Sequence, residues 1–194
     1  MAKKHWDYKA NNYCTTISQG EIFISDQHES VLTIVGLNYA VCLRDTKAKI
    51  GGMSNFLIPC FDDKDKVVWA EKFGIYIMDT MLNCILELGG SKNHIEGKIF
   101  GGNEVLKDKL KYRKKSITFL INYMNKNKIN LKTESTGGKH ARKVYYTPTT
   151  GIVEMRKLSR SNDEVYQLER QYINKMLNLR NDINPDTFQQ LKLT

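Results

Sequence analysis

No stretch of this 194-residue chain approaches the roughly 20 consecutive apolar residues of a membrane-spanning helix, so membrane insertion of that kind is not expected. The opening run Met1-Ala-Lys-Lys-His-Trp-Asp-Tyr-Lys9 lacks the apolar centre of a signal peptide, and the expectation is a cytoplasmic protein. There is no CxxC pair. The four cysteines, Cys14, Cys42, Cys60 and Cys84, sit mostly among apolar residues, so buried, reduced thiols are expected, with no disulfide, metal or cofactor. Internal repeats, low-complexity tracts, RNP-like signatures and recognition-helix patterns are also missing. What remains is a chain with 41% hydrophobic residues, enough for one substantial core but too short for a second independent one.

Thirty Lys and Arg stand against 21 Asp and Glu, a net charge of +9 that favours acidic partners. The basic residues are spread along the chain, with one denser run at Lys107, Lys109, Lys111, Arg113, Lys114 and Lys115. That run reads as a solvated helix entrance, and Lys, Asn and Ile are all plentiful, as a biased genome composition would produce. A nucleic-acid-binding scaffold is therefore a third-ranked reading, and no specific nucleic-acid partner is expected.

Residues 1–18 are polar and aromatic without periodicity and read as a poorly ordered arm. Strands are predicted at Glu21–Ile24, Val31–Leu43, Ile50–Pro59, Ile95–Phe100, Ile129–Thr133, Ala141–Tyr146 and Ile152–Leu158, with Asp62–Lys66 as a charged loop. From Ala70 to Leu88, Phe73, Ile77, Met78, Met81, Leu82, Ile85 and Leu88 recur at helical spacing, and Gly89-Gly90 supplies the stop. Ser116–Lys126 is a second helix with Ile117, Leu120, Ile121 and Met124 inward. The order implies an α+β fold, a layered β-sandwich-like core with two helices packed on it. Beyond it, Ser161-Asn-Asp-Glu164 matches a capping box and Val165, Leu168, Tyr172, Met176 and Leu179 form the stripe of a C-terminal amphipathic helix. The predicted division is an arm at 1–18, a domain at 19–158 and a helical extension at 159–194.

Three segments taken together resemble the chemoreceptor glutamine deamidase family, CheD. Gly36-Leu-Asn-Tyr-Ala-Val-Cys-Leu-Arg-Asp45 followed by Lys47-Ala-Lys-Ile-Gly-Gly-Met-Ser-Asn-Phe-Leu-Ile-Pro59 is similar to the family's L-G-S-C-V-A-V-C-L-x-D and K-x-x-G-G-M-x-H-F-x-L-P. Lys98-Ile-Phe-Gly-Gly102 is close to A-K-x-F-G-G, and Thr136-Gly-Gly-Lys-His-Ala-Arg-Lys-Val-Tyr-Tyr146 with Thr150-Gly151 resembles G-G-x-x-x-R-K-V-x-F and its closing turn. One glycine pair is a weak signal; the ordered set over residues 19–158 is specific. The resemblance implies a layered α+β/β-sandwich domain.

It also implies hydrolysis of a receptor glutamine amide to glutamate. A cysteine thiolate attacks the carboxamide carbon, a histidine manages the protons, and a threonine orients the pair. Aligned on Ala40-Val-Cys-Leu43, the family cysteine falls on Asn38, and aligned on Gly51-Gly-Met53 the histidine falls on Asn55. Neither carboxamide can serve as a thiolate or exchange protons as imidazole does, so a catalytically inactive binding module is the leading expectation. Thr33 stands in the strand of the orienting threonine, where an offset of one residue would turn it to the opposite face.

The alternative is an active deamidase using a relocated thiol, Cys42 or Cys60. Cys42 lies about 13 Å further along the strand than Asn38 and reads as a small buried apolar side chain. His28, His94 and His140 read as exposed loop residues. Gly101, Gly102, Gly137, Gly138 and Arg142 are implied by the resemblance to shape a cleft. That cleft would meet the cytoplasmic helices of chemoreceptors and the phosphatase CheC, although paired glycines also serve tight turns. At Tyr112-Arg-Lys-Lys-Ser116 the chain departs from the family's I-G-x-R-N.

Overall fold

The computed structural model describes residues 3–58, 64–103, 110–159 and 163–178, and the layered α+β architecture expected from the element order is what it contains. Its strands are β1 (Lys3–Asp7), β2 (Asn12–Thr16), β3 (Ile22–Ser25), β4 (Ser30–Val35), β5 (Tyr39–Asp45), β6 (Ile50–Phe56), β7 (Ile95–Gly101), β8 (Asn130–Thr136), β9 (Arg142–Thr147) and β10 (Ile152–Lys157). The helices are α1 (Lys64–Glu87), α2 (Leu110–Lys126) and α3 (Asp163–Asn178). An outer sheet has the order β1-β2-β4-β9-β10, and a central sheet the order β3-β6-β5-β7-β8.

The central sheet is covered on both faces, and its sequence shows why. β5 reads Tyr-Ala-Val-Cys-Leu with no polar alternation, as a strand with two buried faces should. Tyr39, Val41 and Leu43 join Phe73, Ile77, Met81 and Ile85 of α1 and Leu120 and Met124 of α2 in one core. Ala40 and Cys42 point the other way, into a second core with Val31, Val35, Met53, Phe100, Val144 and Tyr146. Each large aliphatic side chain so buried stabilises the layers by about 1.5–3 kcal/mol.

The predicted strands and helices are found with shifted limits, except that Val31–Leu43 is not one strand but two, β4 and β5, which lie in different sheets and are separated at Gly36–Asn38. α1 begins at Lys64, inside the stretch expected to be a charged loop, and α2 begins at Leu110. Leu88 closes the predicted stripe, yet it is 48% exposed. The helix has ended one residue earlier, where the Gly90 N–H reaches back to Ile85 O at 2.9 Å. Among the described residues, no helix is long and apolar enough to cross a membrane.

The first residues depart most from expectation. Where an unordered arm was anticipated, β1 and β2 form an antiparallel hairpin that places Trp6 opposite Tyr13, ring centroids 5.0 Å apart and edge to face. β2 then runs parallel to β4 and buries Cys14. The outward residues are polar or aromatic and half exposed, so no apolar alternation marks these strands. The ladder to β4 supplies what the side chains do not.

From β2 to β5 the chain alternates between sheets, crossing at residues 17–21, 26–29 and 36–38. At a crossing the strand ladders stop, so the backbone N–H groups need other partners. The third crossing, Gly36-Leu37-Asn38, carries the site.

Candidate active-site cleft

Strand alternation decides which side chains meet. Val31 and Val35 point into the inter-sheet core, so Thr33 does too, and the offset that would have turned it away does not occur. On β6, Met53 faces the same core, and so does Asn55 two residues on. Asn55 is paired in register with Ala40, next to Asn38. Thr33, Asn38 and Asn55, singled out one at a time from the sequence, are thereby in contact.

They form a hydrogen-bonded chain. Asn38 Nδ2 donates to Asn55 Oδ1 at 2.9 Å, and Asn55 Nδ2 donates to Thr33 Oγ1 at 2.7 Å and to Ile34 O at 3.3 Å. Thr33 Oγ1 passes its own proton to Ile17 O at 2.9 Å. All three side chains are no more than 1% exposed. Asn38 Oδ1 is the one acceptor of the chain without a partner among the described residues. The cluster is neutral at every ordinary pH, since a carboxamide neither ionises nor offers a nucleophilic lone pair.

The glycines and Arg142 build the wall beside it. Gly101 (φ +118°) and Gly102 (φ +60°) lie in the left-handed region, and a Cβ on Gly101 would stand 2.1 Å from Asn38 O. Gly102 N–H donates to Asn38 O at 3.0 Å and Asn103 N–H to Gly36 O at 2.8 Å. Gly137 N–H donates to Gly101 O at 3.0 Å. Arg142 is buried and spends its guanidinium on main-chain carbonyls: Gly137 O at 2.8 Å, His140 O at 3.2 Å and Gly101 O at 3.5 Å. Burial lowers its pKa. Gly138 (φ +72°) stands apart, with open space where a Cβ would lie.

The amides of the third crossing are taken by α3. Glu169, wholly buried, accepts from Gly36 N (2.8 Å) and Asn38 N (3.1 Å) on Oε1 and from Leu37 N (2.7 Å) on Oε2. Burial pushes its carboxyl up from 4.5 to about 7, against the downward pull of the three N–H donors. Tyr166, one turn earlier, accepts from Asn103 Nδ2 at 2.8 Å, and Ile173 and Met176 join the helix-side core. The buried face is Tyr166, Glu169, Ile173 and Met176, with Tyr172 packed against the same core, so Tyr172 and Met176 of the predicted stripe hold while Leu168 is 54% exposed, and Ser161 and Leu179 lie outside the described residues. Glu169 was missed because a charge reads as solvent-facing. Its place between Tyr166 (i−3) and Ile173 (i+4) was the available signal.

No thiol reaches this cluster among the described residues. Cys42 is sealed between the sheets and burial raises its pKa strongly, while burial pushes Cys14 up to about 11; Cys60 lies outside the described residues. The histidines are engaged elsewhere: His140 Nδ1 with Leu158 O at 3.1 Å, His94 beside Asp45 at 3.9 Å, and His28 with Thr149 Oγ1 at 3.5 Å. In the basic run, Lys114 is exposed and Lys115 lies 3.9 Å from Glu71. No group of metal-ligating side chains is present among the described residues.

The layered fold is what the motif resemblance implies, and comparison with known proteins points to the same family. The family model for CheD chemotactic sensory transduction matches residues 59–157. The chain is 31% identical over 172 residues to the probable chemoreceptor glutamine deamidase CheD 1 of Dechloromonas aromatica, covering 87% of this chain and 86% of that protein. It is also 31% identical over 177 residues to the probable chemoreceptor glutamine deamidase CheD of Hahella chejuensis, covering 89% and 84%. A third such protein, from Shewanella oneidensis, is 29% identical over 181 residues, covering 91% and 88%. With alignment along nearly the whole of both chains and the motifs at family intervals, this protein is a member of the CheD family.

Proposed function

We propose that this chain is a catalytically silent CheD protein that holds chemoreceptor helices, or a CheC-like phosphatase, at its cleft without deamidating them. The observation that carries this reading is the closed carboxamide pair, Asn38 Nδ2 to Asn55 Oδ1 at 2.9 Å, at the positions where the family motif has its cysteine and histidine. Loss of a covalent nucleophile alone removes most of an enzyme's rate, on the order of 10⁶-fold in a well-studied hydrolase. Here the proton-transfer partner is replaced as well. The glycine walls and the Arg142 ties persist around the pair, so the shape that receives a target survives the loss of the chemistry.

The test is ammonia release from a chemoreceptor cytoplasmic fragment, run beside binding to that fragment and to a CheC-type phosphatase. The expected result is binding with no ammonia above buffer. Ammonia release abolished by thiol alkylation would overturn silence, and failure to bind either partner would overturn the binding role.

A further inference from the structure

The Gly36–Asn38 crossing presents three successive backbone N–H groups to one point, and α3 delivers a carboxylate to that point. Three main-chain N–H groups hold Glu169 there, and such amide nests are suited to anionic oxygens. The seat is shaped for the helix. An added Cβ on Gly36 would stand 2.8 Å from Glu169 Oε2 and 2.9 Å from Tyr166 Cε1, and one on Gly20 would stand 2.9 Å from the Tyr172 hydroxyl. All of those atoms belong to α3. The Asn38 amide that helps hold the carboxylate is the backbone of the residue at the family's nucleophile position.

Backbone N–H donors beside a nucleophile are where an acyl oxygen is received in amide hydrolysis. A helix laid there with a glutamate on the amides reproduces the arrangement of a helical target whose glutamine has become glutamate. We infer that α3 is a product mimic held in cis. It fills the seat for a helix-borne glutamine or glutamate side chain, and it must leave before any second helix can dock. This rests on the binding reading proposed above for the substrate side, but the occupancy of the seat by α3 can be tested without it.

The experiment uses the full chain and its Glu169→Ala and Gly36→Ala variants. Hydrogen exchange is followed at the α3 amides and at Gly36–Asn38. Loss of a buried charged acceptor predicts at least about a tenfold fall in protection at both places, with β5 and β6 unchanged. A synthetic peptide spanning residues 163–178 is then added to Glu169→Ala. It is expected to restore protection at Gly36–Asn38, while the same peptide with Glu169→Ala is not. Finally, a receptor-helix peptide carrying glutamine is titrated against all three proteins. It is expected to bind Glu169→Ala about tenfold or more tightly than the parent chain, whereas Gly36→Ala, whose added Cβ intrudes on the same seat, is expected to show no such gain.

Unchanged α3 protection in both variants, or a peptide that does not rebind, overturns the inference. So does receptor-helix affinity that does not rise in Glu169→Ala when the parent chain binds that helix. If the α3 peptide rebinds and no receptor helix binds any of the three proteins, the self-held seat stands and the receptor-binding reading is what fails.

Discussion

Two buried polar clusters share Asn38, and they solve the problem of burial in opposite ways. Through its side chain Asn38 belongs to a chain of neutral groups, Asn38, Asn55 and Thr33, which bond in sequence and end on a carbonyl, with Asn38 Oδ1 left without a partner among the described residues. Through its backbone it belongs to a charged cluster, in which a carboxylate from another helix is held by peptide N–H groups alone. The first has no proton to gain or lose. The second does, and at a pH close to neutral. A cluster built of carboxamides and a hydroxyl has nothing to titrate, whereas a carboxyl seated on the amides beside it keeps its proton equilibrium.

The largest change follows from converting the neutral cluster. Asn38→Cys with Asn55→His, placed on Glu169→Ala to release α3, is expected to produce ammonia from a receptor fragment. The rate should exceed that of the variant without the histidine by about 10²–10⁴-fold, the range of general acid–base catalysis. An equal rate in both would show that position 55 does not address position 38.

Next comes the pH dependence of the charged cluster. The seated carboxyl has its pKa raised from 4.5 to about 7, so between those values the docked helix binds more protons than the released one. Docking is therefore strongest at low pH, weakens as pH climbs through the window and levels off above about 7. The expected span is on the order of 10²-fold in the opening constant of α3, read by hydrogen exchange corrected for intrinsic rates. Glu169→Gln is expected to flatten it.

The smallest effect lies in the neutral chain itself. Thr33→Val removes the acceptor of one Asn55 bond and the donor to Ile17 O, and is expected to cost about 1–3 kcal/mol in denaturant unfolding, with Thr33→Ser recovering most of it.

How much of this was legible follows the same division. The neutral cluster sits on strands, and strands declare their faces: Val31 and Val35 flank Thr33 two residues away on either side, and that spacing is enough to fix its direction. Of the motif glycines, Gly101 has a steric reason to be legible, since close approach to Asn38 O leaves no room for a side chain, and Gly102 is crowded by Tyr39 in the same way, whereas Gly138 has open space. The charged cluster was hidden. Its donors are backbone groups, which no residue letter records, and its acceptor breaks the rule that charges on an amphipathic helix face water. Choosing Val165 and Leu168 over Tyr166 and Glu169 turned the helix by about 100°, and the true seat with it. β1 and β2 were hidden for a related reason: an exposed edge strand, β1, and a neighbour, β2, whose buried residues are Asn12, Cys14 and Thr15 carry no apolar alternation and are specified by the strands they pair with.

Arg142 carries one further consequence. A planar fork that ties Gly101, Gly137 and His140 together makes the rim rigid from within, and a lysine, a point charge on a flexible stem, could not grip all of them in that geometry. The charge is thereby turned away from solvent, and just outside it Gly138 offers bare peptide with nothing around it. A visitor arriving at that lip meets contour and amide dipoles in place of side chains, so what it is sorted by there is its own fit against a fixed edge.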